Sequence, residues 1–200
     1  MFVQVMEGST SDPAALLARF ERWNVDLKPG AVGFLGSTGG VSGDGQAVIL
    51  ARFESAAAAN ANGERPEQGE WWAQTEACFD GPVRFSESTD VETFLEGGSD
   101  DAGFVQIMRR SGADRARLID ADAMWADFAV AWRPDLIGGI RVWTGPDTYV
   151  EAAYFTSQAA AQAGEQTEPP AEFAQLFADF EELMAGVEFL DIAEPLLSSG

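Results

Sequence analysis

Apolar and polar positions alternate with period two over residues 2–7, which places Phe2, Gln4 and Met6 on one face of a strand and Val3 and Val5 on the other. The period then changes. Leu16, Phe20, Trp23 and Leu27 recur at spacings of four, three and four, one apolar stripe of a helix. Asp12-Pro13 supplies an N-cap and a first-turn proline to start it, and Lys28-Pro29-Gly30 stops it. Strands near 31–37 and 46–53 follow, joined by a flexible hairpin over Gly39-Gly40-Val41-Ser42-Gly43-Asp44-Gly45. The Ala-rich stretch 55–62 predicts a short helix, broken at Arg65-Pro66 before a longer one, and Val83-Arg84-Phe85 predicts a closing strand.

The same succession then begins again. Phe2-Val3-Gln4-Val5-Met6 returns as Phe104-Val105-Gln106-Ile107-Met108, an offset of 102 positions in a chain of 200. Trp23 matches Trp125, and Phe53-Glu54-Ser55 matches Phe155-Thr156-Ser157. Leu118, Ala121, Trp125, Phe128 and Trp132 repeat the helical stripe, and strands near 137–143 and 148–155 repeat the hairpin across Gly145-Pro146-Asp147. A short helix over 157–163, a break at Pro169-Pro170, a stripe from Phe173 to Met184 and the strand Val187-Glu188-Phe189 complete it, at an offset drifted to 104. A period near half the chain means a duplicated domain, since solenoid units are much shorter. The order βαββαβ, twice over, predicts an α+β fold of two tandem ferredoxin-like units, 1–95 and 103–200, joined by the Gly/Asp-rich linker 96–102. The strands leave no clearly polar face, so the two sheets are expected to pack on one another within one chain, an intramolecular α+β barrel pseudo-dimer. Further homodimerisation stays open.

Charge narrows the partners. With 33 acidic against 12 basic side chains the formal net charge is -21, which repels nucleic acid phosphates and anionic membranes. Arg109, Arg110, Arg115 and Arg117 form the one local exception, either an anion site or a solvated loop and first helical turn. No apolar run approaches the ~20 residues of a membrane-spanning helix, the N-terminus lacks the pattern of a secretory signal, and the single Cys78 has no internal disulfide partner; a cytoplasmic protein is expected.

The absence of histidine removes His-based triads and His ligation of haem or zinc, and one cysteine cannot build a thiolate metal cluster. Gly36-Ser37-Thr38-Gly39-Gly40 lacks the Lys-Ser/Thr of a phosphate-binding loop. No metal or cofactor is expected. The tryptophans remain. Trp23 and Trp125 fall on buried stripes, whereas adjacent Trp71 and Trp72 point about 100° apart on a helix, so one of them faces a pocket or an interface. Gln4 and Gln106, amides within apolar strands, either meet each other across a pseudo-twofold axis or point into a pocket. Arg52 and Arg84, in or beside strands, need a carboxylate partner or a ligand anion.

Two fused units carrying Ala51-Arg52-Phe53-Glu54-Ser55-Ala56 resemble the dimeric α+β barrel superfamily, in its antibiotic-biosynthesis-monooxygenase-like (ABM-like) branch. The segment Arg65-Pro66-Glu67-Gln68-Gly69-Glu70-Trp71-Trp72 and Tyr154-Phe155-Thr156-Ser157 also resemble tandem proteins of actinobacteria. The resemblance implies a pocket between helices and sheet in which Asn, Trp, Tyr and Arg hold a phenolic substrate and its anion. By position Asn62 takes the Asn role, Trp71 or Trp72 the Trp role and Arg84 the Arg role; both tyrosines, Tyr149 and Tyr154, lie in the second half. The function expected is binding of a small apolar or aromatic ligand, with cofactor-independent, monooxygenase-like oxidation of a phenol as its sharper form. The alternative is a non-catalytic module whose pocket is filled by side chains. Where the halves disagree, Arg84 against Glu188, Arg52 against Tyr154 and Trp72 against Leu176, a site is expected, and the first half is the preferred place for it.

Overall fold

A computed structural model describes residues 1–95 and 97–200, with all side chains there except those of 125–131 and 172. Trp125 and Phe128 therefore lie on the fourth helix with side chains outside those described. The elements run β1 (Phe2–Ser9), α1 (Pro13–Asp26), β2 (Phe34–Val41), β3 (Gln46–Phe53), α2 (Ala56–Gly63), α3 (Pro66–Glu76), β4 (Arg84–Ser88) and β5 (Val91–Leu95). Then follow β6 (Phe104–Arg110), α4 (Arg115–Trp132), β7 (Leu136–Trp143), β8 (Tyr149–Phe155), α5 (Gln158–Glu165), α6 (Ala174–Met184), β9 (Glu188–Ile192) and β10 (Leu196–Ser199). The cap read from the sequence forms as its chemistry dictates, Asp12 accepting from the Ala15 N–H ahead of Pro13, and the structure adds Ser55 and Ser157, which accept from Ala58 and Ala160 to start α2 and α5.

Each compact unit is built on one five-stranded sheet. The first, Met1–Val91 with Asp191–Gly200, has the order β10-β2-β3-β1-β4; the second, Glu92–Leu190, has the order β5-β7-β8-β6-β9. The sequence repeat and the compact units are thus cut at different places. A short strand after each βαββαβ run joins the sheet of the other, and these edge strands, β5 and β10, are absent from the four-strand reading of the sequence. Two glycines at matching positions make room for them. Each hairpin carries a bulge, between Phe34 and Gly36 in β2 and between Leu136 and Gly138 in β7. A Cβ on Gly36 (φ +134°) would stand 2.5 Å from the Ser198 carbonyl oxygen of β10, and one on Gly138 would stand 1.9 Å from the Gly97 carbonyl oxygen just past β5.

The first hairpin is also tighter than its glycines suggest. β2 continues through Gly39 and Gly40, and the reversal is confined to Ser42-Gly43-Asp44-Gly45, where the Ser42 amide donates to Gln46 and the Gly45 amide to Ser42. Gly39 belongs to the strand because a Cβ there would meet the backbone of Val48 and Ile49 across the ladder.

Alternation along the strands sorts the core. In the first unit Phe2, Met6, Ile49 and Phe53 pack beneath Leu16, Trp23 and Trp71, while Val3, Val5, Val48 and Leu50, on the other face of the same sheet, are closed to solvent as well. In the second unit Phe104, Met108, Ala153 and Phe155 pack with Leu118 of α4 and Ala161 of α5.

Gly138→Ala should detach the end of β5, costing about 1–3 kcal/mol as a steric overpacking. Amide exchange at residues 92–95 then rises well above that of β8, whereas Gly43→Ala, with open space around it, leaves melting temperature and exchange unchanged.

Candidate functional site

Each unit holds a cavity between its helices and the helix-covered face of its sheet. That of the first unit, about 220 Å³, is aromatic: Phe20 and Trp23 from α1, Trp71 and Trp72 from α3, Phe34, Phe53 and Phe85 from the strands. Trp72 stacks edge-on against Phe85 at 5.1 Å and lies 6.1 Å from Trp71. Trp71 is the more buried of the pair, its indole N–H bonded to the Arg19 carbonyl oxygen at 2.9 Å. Four neutral polar side chains, Gln4, Ser37, Asn62 and Gln68, complete the lining. Each amide has one end engaged by protein: Asn62 Oδ1 accepts from Arg65, Gln68 Oε1 accepts from Trp23 Nε1, and Gln4 Nε2 donates to Glu87. The oxygens of Asn62 and Gln68 are spent in this way, which leaves their NH₂ groups as donors for a ligand oxygen.

Three of the four residues singled out in the sequence therefore meet at this cavity: Asn62, Trp71 and Trp72. Arg84 does not. It precedes Phe85 in β4, so alternation sends Phe85 to the cavity and Arg84 to the opposite face, where register places it beside Glu7. Its Nε and Nη2 donate to Glu7 Oε2 at 3.0 and 2.6 Å. The second unit carries the same ion pair with its polarity reversed, Arg109 Nη2 donating to Glu188 Oε1 at 2.5 Å. Since Glu7 corresponds to Arg109 and Arg84 to Glu188, the disagreement between the halves here is a reciprocal exchange of charge. Gln4 and Gln106 both line cavities. The arginine group at the start of the second half is largely spent on carboxylates as well: Arg115 on Glu92 and Arg117 on Glu182, besides Arg109 on Glu188.

The second unit's cavity is larger, about 300 Å³, and one wall of it is charged. Arg141, on β7, faces Glu151 across the ladder on β8, and its Nε donates to Glu151 Oε2 at 2.6 Å. Its Nη1 also donates to Asp122 of α4 and, at 3.2 Å, to Glu92 of β5. Arg141 and Glu151 are both at least 95 % buried. Burial pushes the Glu151 carboxyl up, Arg141 opposes this and Asp122 adds to it, and the group titrates at about 7. Burial disfavours the charge on Arg141 too, yet Glu151 and Asp122 outweigh it and hold the guanidinium above its ordinary range. Burial followed by the charge of Glu151 pushes Tyr149 up to about 12. Neither Arg141 nor Glu151 was singled out in the sequence, and Asp122, expected to face solvent, stands on the cavity wall instead; one comparison exposes all three. At the offset of 102, Phe20, Gly39 and Ile49 become Asp122, Arg141 and Glu151.

Two ferredoxin-like units in tandem, each with a cavity under its helices, give the chain an α+β fold. It has the fold of the ABM-like monooxygenase proteins. A candidate monooxygenase of Lactobacillus acidophilus superposes with a TM-score of 0.71 at 8% identity, covering 99% of both chains. One from Fusobacterium nucleatum reaches 0.76 at 9% identity, covering 100% of this chain and 95% of the other. An anthrone oxidase-like protein reaches 0.64 at 11% identity, over 98% and 92%. No family model matches the sequence, and no curated protein matches it significantly. Among the described residues no helix is long and apolar enough to cross a membrane.

Two outcomes follow from these charges. Arg84→Glu replaces one bonded partner of the buried Glu7 by a like charge and should destabilise the chain by about 1.5–3 kcal/mol, whereas adding Glu7→Arg, which restores an opposite-charge pair at these two positions, should recover part of the loss in chemical denaturation. A carboxyl raised in the folded state stabilises fully below its unfolded value and loses that contribution as pH rises through about 7. Denaturation of Glu151→Gln against the parent chain should therefore show a stability gap that widens in favour of the variant from pH 4.5 to about 7, by on the order of 2–3 kcal/mol, and is flat above.

Proposed function

We propose that the chain binds a small, flat, largely apolar molecule with an oxygen acceptor in the cavity of its first unit. The observation that carries this reading is the aromatic lining around two amide donors, Asn62 and Gln68, a mostly apolar pocket with few orienting polar groups. The space is open, which favours a ligand over the alternative of a module filled by its own side chains.

Cofactor-independent oxidation of a phenolic or aromatic ligand is the sharper form, supported by the fold and by the neighbours' names, an anthrone oxidase-like protein among them. Against turnover in this cavity stands its neutrality. Among the described residues no ionisable side chain lines it, and Arg84, to which the resemblance assigns the anion, is ion-paired with Glu7 on the other face. Binding is thus the function the geometry of this cavity supports best.

Anthrone, a flat tricyclic ketone, is a suitable probe. Its titration should quench tryptophan fluorescence saturably, Trp72→Ala and Asn62→Ala should each weaken binding roughly tenfold, and Arg84→Ala should leave affinity unaltered. An oxygen electrode run on the same complex should show uptake no faster than that of free anthrone. Absence of saturable binding would overturn the assignment, and uptake that depends on Trp72 would replace binding by turnover.

A further inference from the structure

The two cavities occupy equivalent places but differ in charge, and the difference sits at three positions. Where the first unit has Phe20, Gly39 and Ile49, the second has Asp122, Arg141 and Glu151, with Glu92 of the edge strand added behind them. A duplicated scaffold gains no packing from such an exchange. Buried ion clusters cost desolvation that apolar side chains of similar volume do not. The exchange therefore points to a ligand.

The arrangement says which charge that ligand carries. The guanidinium of Arg141 is shared among three carboxylates, so the negative charge around it exceeds its own and disfavours an anion. Arg115 offsets only part of the excess through Glu92, and Arg133, also on the cavity wall, is held by Asp135 at 2.7 Å. Glu165 and Glu181 add further negative charge to the lining. Glu151 is 5 % exposed and lines the cavity, and while its Oε2 is bonded to Arg141, its Oε1 makes no hydrogen bond among the described residues. The remaining wall is apolar and aromatic: Phe94, Met108, Phe155, Phe180, Met184 and Phe189. Aromatic faces and a carboxylate oxygen both attract an ammonium group. Among the described residues no acidic group is arranged to hold a metal ion, and 300 Å³ suits an organic molecule of drug-like size.

We propose that the second unit's cavity is a binding site for a hydrophobic organic cation, an apolar or aromatic body carrying a protonated amine that pairs with Glu151 and Asp122. The cation supplies the charge the cluster lacks, and its body fills the apolar wall. The net charge of -21 raises the local concentration of such ligands at moderate salt. This site is independent of the neutral ligand assigned to the first unit and stands if that assignment fails.

The test uses the full chain and three probes of matched shape: 4-phenylbutylamine, 4-phenylbutanol and 4-phenylbutyrate, followed by calorimetry at pH 7.5. The amine should bind at least tenfold more tightly than the alcohol, and the carboxylate should not bind. Its affinity should rise about tenfold from pH 5.5 to 7.5 as Glu151 gives up its proton, because the amine itself stays charged throughout. Glu151→Gln should weaken the amine at least tenfold and abolish that pH dependence, and Asp122→Asn should weaken it while the pH dependence persists. Circular dichroism verifies that each variant is folded. Equal binding of amine and alcohol, no amine binding at millimolar concentration, or amine binding unchanged in both folded variants would overturn the proposal.

Discussion

Residues that face one another across adjacent strands share a side of the sheet, and the next residue along each strand lies on the other side. This constraint decides which side chains of the chain can meet a ligand. The helices cover the side carrying Phe2, Gln4 and Met6 in the first unit and Phe104, Gln106 and Met108 in the second, and both cavities open beneath them. Phe85 reaches the first cavity and Arg84 cannot, for a reason one residue long. Glu151 and Arg141 reach the second cavity because register pairs them on the covered side, next to Met108.

The same rule explains what the sequence disclosed. Period two and period 3.6 are properties of adjacent residues, so the strands, the capped helices and the duplication were legible from Phe2, Leu16 and Trp23 and their matches. Asn62, Trp71 and Trp72 were grouped by the resemblance and not by period, and all three line the first cavity. The edge strands β5 and β10 were not legible, because pairing with a distant partner leaves no local period in segments of five and four residues. Their trace lay in Gly36 and Gly138, which match at the repeat offset and admit the edges. The hairpin was misplaced for a related reason: Gly39 and Gly40 look like loop residues but are small because the facing strand approaches closely.

The two halves differ in two distinct ways. The pair Arg84 and Glu188 stood out because its charge reverses, yet Glu7 and Arg109 reverse with it, and an exchanged ion pair preserves the fold while changing nothing in the cavity. The informative changes run from apolar to charged: Phe20, Ile49 and Gly39 to Asp122, Glu151 and Arg141. They are uncompensated by any apolar gain and concentrate on one cavity wall. The two cavities thus differ in the charge of their walls, one neutral and one carrying Asp122, Arg141 and Glu151.

That divergence depends on a single group, the Glu151 carboxyl, buried beside Arg141 and facing the cavity. Carbon-13 NMR of the side-chain carboxyls, with Glu151 assigned by its loss in Glu151→Gln, measures it directly. The account predicts a midpoint near 7 in the free chain that falls when 4-phenylbutylamine is bound. A midpoint in the ordinary glutamate range of about 4.3, unmoved by the amine, would contradict it.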